Sequence, residues 1–401
     1  MSKTYTGGEK LHQLGASVNL VVCQKSKISD WVDHFGDNYY PYVFTYDLTN
    51  KKDYEQFLLD VKINDRFKRI AVINYELLWR RPELAKLTDF TLLLDESSLI
   101  QNETAQRSRF ILKKLQPKNV ILLSGTPTGG KYEKLYSQLK LLGWDITKKT
   151  FYNTYIDYHY ETNMGFPLMV IDGYKNVERL KRKMREYGCH FLKTEDVLNL
   201  PDQVFTKVSV PVTKEYRKFR KDRVVTVDGT QLLGDNTLTK MLYERQLCGQ
   251  YNKAKLDAFR DLVESTEDRV IVFYNFNVEL EQLQNVLYPL HRPFSVVNGK
   301  VKGLGNYDKH NNSVTFIQYQ AGAMGLNLQK ANKIIYFSPP LSSELYEQSK
   351  KRIHRIGQSH SCYYYNMVCK GSIEERIYKT LDMRRDYTDR LFEEDENENI
   401  Y

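Results

Sequence analysis

Short apolar runs alternate with amphipathic stretches in two regions of the chain. In the first, the candidate strands are VNLVVC (Val18–Cys23), RIAVINY (Arg69–Tyr75), FTLLLDE (Phe90–Glu96) and NVILLSG (Asn119–Gly125). In the second they are RVIVFY (Arg269–Tyr274), FSVVNG (Phe294–Gly299), SVTFIQ (Ser313–Gln318), KIIYFS (Lys333–Ser338) and YYYNMVC (Tyr363–Cys369). This pattern predicts β-α units around mostly parallel sheets, hence two α/β lobes. From about Thr150 to Thr266 it gives way to Tyr-rich, Lys/Arg-rich sequence, which reads as a helical insert plus linker. The expected organisation is lobe 1 over 1–149, insert and linker over 150–266, and lobe 2 over 267–370. A C-terminal helix over 371–392 and an acidic, disordered tail over 393–401 complete it. No internal repeat of solenoid spacing interrupts this plan.

Composition adds limits. A chain of 401 residues is long enough for two cores. Charged residues make up 27% and hydrophobic residues 41%, a globular balance, and no apolar run approaches the roughly 18 residues of a membrane span. Cys23, Cys189, Cys248, Cys362 and Cys369 form no C-x-x-C pair or zinc spacing, so free thiols in a reducing compartment are expected. These features, with no visible signal peptide, predict a soluble, cytoplasmic protein without a membrane partner. The net charge of +9 is bunched in ERLKRKMRE, KEYRKFRKDR and QSKKRIHR. Such runs suit a polyanion, and equally suit solvated helix faces.

Candidate chemistry collects at strand ends, where ligands gather in parallel sheets. In LLLDESS, Asp95 could hold Mg2+ while Glu96 orients the water that attacks a γ-phosphate; an acidic pair there also simply begins a helix. ILLSGTPTGG places Ser124, Gly125 and Thr126 at another strand end, either as a capped turn or as a relay from nucleotide to another site. In QAGAMGLNLQ, Gly322, Gly325 and Asn327 lie between two strands, where backbone can approach a ligand closely. In EQSKKRIHRIGQ, Gln348, Arg352 and Arg355 fall at i, i+4 and i+7, which predicts one shared helical face. Arginines so placed can neutralise charge on a transferred phosphate, or form a solvated basic face. Finally, Lys3-Thr4 in MSKTYTGGEK runs into a helical stretch and then VNLVVC, like the back half of a phosphate-binding loop.

Taken together the pieces resemble superfamily 2 helicases, specifically the Swi/Snf-type branch of DNA-dependent ATPases. LVVCQKSKISDW is similar to that branch's motif Ia, DESS to its DEAH-type motif II, LLSGTP to motif III and RVIVFYNF to motif IV. QAGAMGLNL resembles motif V, and QSKKRIHRIGQ resembles motif VI, the most specific of the set. FLKTEDVLNLPDQVF, YERQLCGQYNKAKLDAF and GSIEERIYKTL resemble the family's arginine-rich turn into an LP strand, its helix before lobe 2 and its brace-like helix after lobe 2. Gln318, Tyr319, Gln320 and Ala323 depart from the usual motif V, and Leu341-Ser342-Ser343 replaces the usual Trp-Asn-Pro before motif VI.

The resemblance implies two RecA-like lobes with ATP and Mg2+ in the cleft between them and DNA lying across both. Carried over, Lys3 contacts the β- and γ-phosphates, Thr4 and Asp95 hold Mg2+, Gly325 approaches the nucleotide and Glu96 activates water. Arg352 and Arg355 act as arginine fingers with Gln348 beside them. Lys25, Ser26, Asn275 and Asn327 contact DNA, largely without reading sequence, while Ser124, Gly125 and Thr126 couple the two activities. The implied function is an ATP-dependent DNA translocase or helicase, a monomeric minimal motor of bacterial or bacteriophage type. Its setting would be DNA replication, recombination or repair, with phage or host proteins of those pathways as further partners. The alternative is a catalytically impaired nucleic-acid-binding or regulatory remnant lacking a complete P-loop, since the strand and glycines expected before Lys3 are not in the chain. An N-terminal truncation at the Walker A loop is the expectation that follows.

Overall fold

The computed structural model describes residues 3–39, 41–63, 65–163, 166–191, 199–322 and 326–392. The chain divides into two compact units, one built mainly from residues up to 192 and the other from residues 193–385. No helix among the described residues is long and apolar enough to cross a membrane.

The first unit is organised by five strands: β1 (Val18–Cys23), β2 (Val43–Asp47), β3 (Lys68–Asn74), β4 (Thr91–Asp95) and β5 (Asn119–Leu123). They run in the order β2-β3-β1-β4-β5, with every pairing parallel. The inner strands β1, β3 and β4 read as nearly continuous apolar runs because helices cover both faces. Leu20, Val22, Leu92 and Leu94 enter the core on one face, while Val21, Cys23 and Leu93 enter the core on the other. That second face receives α1 (Lys3–Leu14) and α2 (Ile28–Tyr39) through Leu11, Trp31 and Phe35. Gly7 lets α1 settle closely on the sheet, since a Cβ there would stand 2.6 Å from Leu123 Cδ1. The close approach carries the first turn of α1 toward the carboxyl end of β4.

Residues 150–266 differ from the expected helical insert. They begin in a short helix and continue as an antiparallel hairpin, β6 (Ile156–Asn163) with β7 (Phe166–Tyr174), followed by α3 (Val177–Glu186). The alternation Tyr158, Tyr160 against Met169 and Ile171 is the period-2 signal behind this ribbon. Further on, β8 (Gln203–Val210) joins the sheet of the second unit, and α4 (Lys214–Asp222) leads to a small hairpin, β9 (Val224–Val227) with β10 (Thr230–Leu233). Two helices, α5 (Thr237–Cys248) and α6 (Lys253–Glu264), complete the stretch. The FLKTEDV part of the family resemblance falls largely outside the described residues, as do the acidic tail and Gly325.

In the second unit the sheet order is β13-β12-β14-β11-β15-β16-β8. Its further strands are β11 (Val270–Tyr274), β12 (Phe294–Val297), β13 (Lys302–Gly303), β14 (Val314–Gln318), β15 (Lys333–Tyr336) and β16 (Cys362–Cys369). All pair in parallel except β12 with β13. Ile271, Phe273, Ile317 and Ile334 fill one face, and Val270, Val272, Phe316 and Ile335 fill the other. Around the sheet lie α7 (Asn277–Leu287), α8 (Ser343–Lys350) and α9 (Ile373–Phe392). Lys255 on α6 and Glu374 in the first turn of α9 form an ion pair of 2.6 Å whose side chains are 0% and 1% exposed. The Glu374 carboxylate also accepts from the Cys369 backbone N–H at 2.9 Å, so a buried charge is matched on both oxygens.

Candidate functional site

Parallel strands bring their carboxyl ends to one edge of a sheet, and in the first unit that edge gathers most of the sequence candidates. Asp95 closes β4, and its carboxylate is largely buried. Glu96 follows with φ 55° and ψ 57°, a left-handed conformation that a residue bearing a Cβ adopts only when its surroundings enforce it. The enforcement comes partly from buried Tyr75, whose hydroxyl donates to the Asp95 carbonyl at 2.9 Å. Trp31 Nε1 donates to Asp95 Oδ2 at 3.2 Å, and Lys3, at the start of α1, forms an ion pair with Glu96. Thr4 sits half-buried in the same first turn.

Burial pushes the Asp95 carboxyl above its ordinary value; Lys3 opposes the shift, neighbouring Glu96 adds to it, and the Trp31 bond opposes it. Such a group binds its proton more tightly folded than unfolded, so its ionised form destabilises the fold at neutral pH. Asp95→Asn keeps the Trp31 acceptor without the charge. It is expected to raise the thermal unfolding temperature at pH 7 in Mg2+-free buffer, with the gain shrinking as pH falls toward the ordinary carboxylate range. A lower unfolding temperature at pH 7 would contradict the sign.

The neighbouring strand ends carry the other candidates of this unit. Lys25 and Ser26 are exposed in the turn after β1. Ser124, Gly125 and Thr126 follow β5, with Thr126 N–H donating to Ser124 Oγ at 3.1 Å. Ser97 Oγ lies 2.8 Å from Gln138 Oε1, and Gln138 Nε2 donates to the Pro127 carbonyl at 2.8 Å. Gln101 Nε2 donates to the same carbonyl at 3.2 Å. The DESS and SGTP loops are thus joined through two glutamines that carry no motif signal; only the structure brings them forward.

In the second unit, α8 ends at Lys350, so Arg352 and Arg355 lie in turns beyond it and do not share a helical face with Gln348. At the end of α8, Lys350 is drawn inward over the rings of Phe205 and Tyr346, and its carbonyl accepts from the Tyr364 hydroxyl at 3.2 Å. The segment is then bound to the chain after β14. Leu328 N–H donates to the Arg352 carbonyl at 3.1 Å, and Arg355 Nη1 donates to Asn327 Oδ1. Buried Gln358 Nε2 reaches the carbonyls of Ala331 at 2.8 Å, Ile353 at 3.2 Å and Gln329 at 3.3 Å. Burial draws the Arg355 guanidinium below its ordinary value. Gln348 Nε2 donates to Glu344 Oε1 at 3.4 Å.

Asn275 lies elsewhere. Its amide donates to Ser338 Oγ at 2.8 Å and to the Pro339 carbonyl at 3.1 Å, so its donors serve the end of β15. Adjacent Glu279 is fully buried and its Oε2 accepts from the N–H groups of Asn275 and Phe276.

The two parallel-sheet units and their strand-end loops belong to a class that comparison with known proteins makes explicit. The SNF2-related domain matches residues 6–253, and the helicase conserved C-terminal domain matches residues 254–357. The chain belongs to the SNF2-related family. It is 22% identical to the ISWI chromatin-remodeling complex ATPase ISW1 of Saccharomyces cerevisiae, over 89% of this chain and 34% of that protein. It is also 22% identical to an uncharacterized ATP-dependent helicase, MG018, of Mycoplasma genitalium, over 94% of this chain and 38% of that protein. The chain therefore spans little more than a third of these relatives' length.

Proposed function

We propose that the protein is an ATP-dependent DNA translocase of Swi/Snf type. The observation that carries this reading is the meeting of Lys3 with the Asp95-Glu96 pair at the carboxyl end of β4. Glu96 Oε2 is buried without a hydrogen-bond partner, and an orphaned carboxylate oxygen of this kind suits a site completed by water and a cation. The donor set fits Mg2+, with Asp95 and Thr4 supplying hard oxygen ligands. Held there by Asp95 and Thr4, the ion would supply charge neutralisation for a phosphoryl group.

Lys3, now paired with Glu96, exchanges that carboxylate for the nucleotide's phosphates, which frees Glu96 to orient water and take its proton. Gly325 lets backbone approach the nucleotide. Arg352 and Arg355 supply positive charge to the transferred phosphoryl group, with Gln348 beside them as an uncharged hydrogen-bonding group. Lys25, Ser26, Asn327 and Asn275 belong to the DNA-facing segments, and Ser124, Gly125 and Thr126 connect nucleotide state to them through the Gln138 bridge. Contacts of this kind hold the phosphate backbone without reading bases. We place the activity in bacterial or phage DNA replication, recombination or repair. In the test, Mg2+-ATP hydrolysis is titrated with duplex DNA. Hydrolysis is expected to rise with DNA, and no hydrolysis at any DNA concentration overturns the reading.

A further inference from the structure

The three basic runs of the sequence differ in what neutralises them. On α3, Lys181 pairs with Glu178 at 3.2 Å and Lys183 with Glu186, so both acids of that run are engaged along its own helix by two of its five cations. In the run ending α8, Lys350 pairs with Glu347 and Arg355 binds Asn327. On α4 the case is different: among the described residues Arg217, Lys218 and Lys221 have no ion-pair partner. Tyr216 and Phe219 turn the opposite face of α4 into the core, which leaves Arg217, Lys218, Arg220 and Lys221 exposed together. Six cations and two acids over residues 214–223 leave a local charge of +4, nearly half of the chain's +9.

This face is also concave. Val212, Tyr216, Arg217, Arg220, Lys221 and Gly371 enclose a cavity of about 240 Å³. Arg220 Nη1 donates to the Gly371 carbonyl at 3.1 Å, and a Cβ at Gly371 would meet nothing within 4 Å, so the mouth is open. Acids on the adjoining first turns of α9 are already engaged: Glu375 pairs with Lys207 at 3.0 Å and accepts from the Gly371 N–H. Unpaired guanidinium and ammonium groups on one open face match phosphate diesters, which arginine can grip through two parallel N–H bonds. Along α4, residues 217 to 221 span about 6 Å, close to two steps of ~3.4 Å along one DNA strand.

We infer that the exposed face of α4 and the cavity beside Gly371 form an additional phosphate-binding surface for the DNA backbone. The inference rests on the DNA-translocase reading. Because each phosphate contact contributes about 0.9 to the slope of log affinity against log salt, Arg217→Gln, Lys218→Gln and Lys221→Gln together are expected to lower that slope by about 2 to 3. Arg220 is left in place because it holds Gly371. Lys51→Gln, Lys52→Gln and Lys62→Gln, an equal change in charge on and beside another helix, are expected to leave the slope nearly as in the parent. ATP hydrolysis without DNA should be the same in all three proteins.

A triple variant with the parent's slope overturns the inference while leaving the translocase reading standing, and so does an equal fall in the control. A parent without salt-dependent DNA binding overturns both. Loss of binding to phosphatidylserine vesicles in the α4 variant, with its DNA slope unchanged, assigns the face to a membrane and overturns the inference as well.

Discussion

Glu96→Gln is expected to reduce DNA-stimulated ATP hydrolysis by roughly 10²- to 10⁴-fold while nucleotide binding persists, the range in which a positioned general base contributes. The substitution preserves shape and the strained left-handed backbone at the end of β4. It removes the charge that now pairs with Lys3, which becomes more available to phosphates. Binding as tight as the parent's, or tighter, with hydrolysis lost separates a catalytic role from a structural one. Hydrolysis within about threefold of the parent would place the base elsewhere.

The largest expected effect on folding lies in the other unit. Lys255→Met removes the cation from a pair buried to 0% and 1% exposure. Burial alone would lower the Lys255 value, yet it lies above its ordinary range because the Glu374 carboxylate favours the charged form. Leaving Glu374 alone in the core is expected to cost about 3–5 kcal/mol, read from urea unfolding followed by far-UV circular dichroism. Adding Glu374→Gln to Lys255→Met preserves an acceptor for the Cys369 N–H and is expected to recover much of that loss. A double variant as unstable as the single one would show that packing against Phe337, not charge, is what Lys255 provides.

The strands of both sheets were largely readable because burial on two faces makes each core strand an apolar run. Val43–Asp47 escaped, since its residues alternate between buried and exposed and include a Thr and an Asp. The hairpin over Ile156–Tyr174 escaped because much of it stays exposed, Tyr160, Phe166 and Leu168 included, so it carries no buried apolar run. Within the candidate sites, Asp95 and Glu96 were readable from their place at a strand end. Trp31, Gln101, Gln138 and Gln358 were not, because each acts on a loop distant in sequence. The spacing of Gln348, Arg352 and Arg355 gives one helical face only if the helix continues, and α8 ends at Lys350 with no Gly or Pro before Gly357 to signal it.

Movement along DNA driven by ATP is tested most directly by displacement of a triplex-forming strand from a duplex that the protein must traverse. The account expects displacement with Mg2+-ATP, none with ADP, and none with Glu96→Gln. Displacement that proceeds equally with ADP, or ATP hydrolysis stimulated by DNA without any displacement, would contradict it.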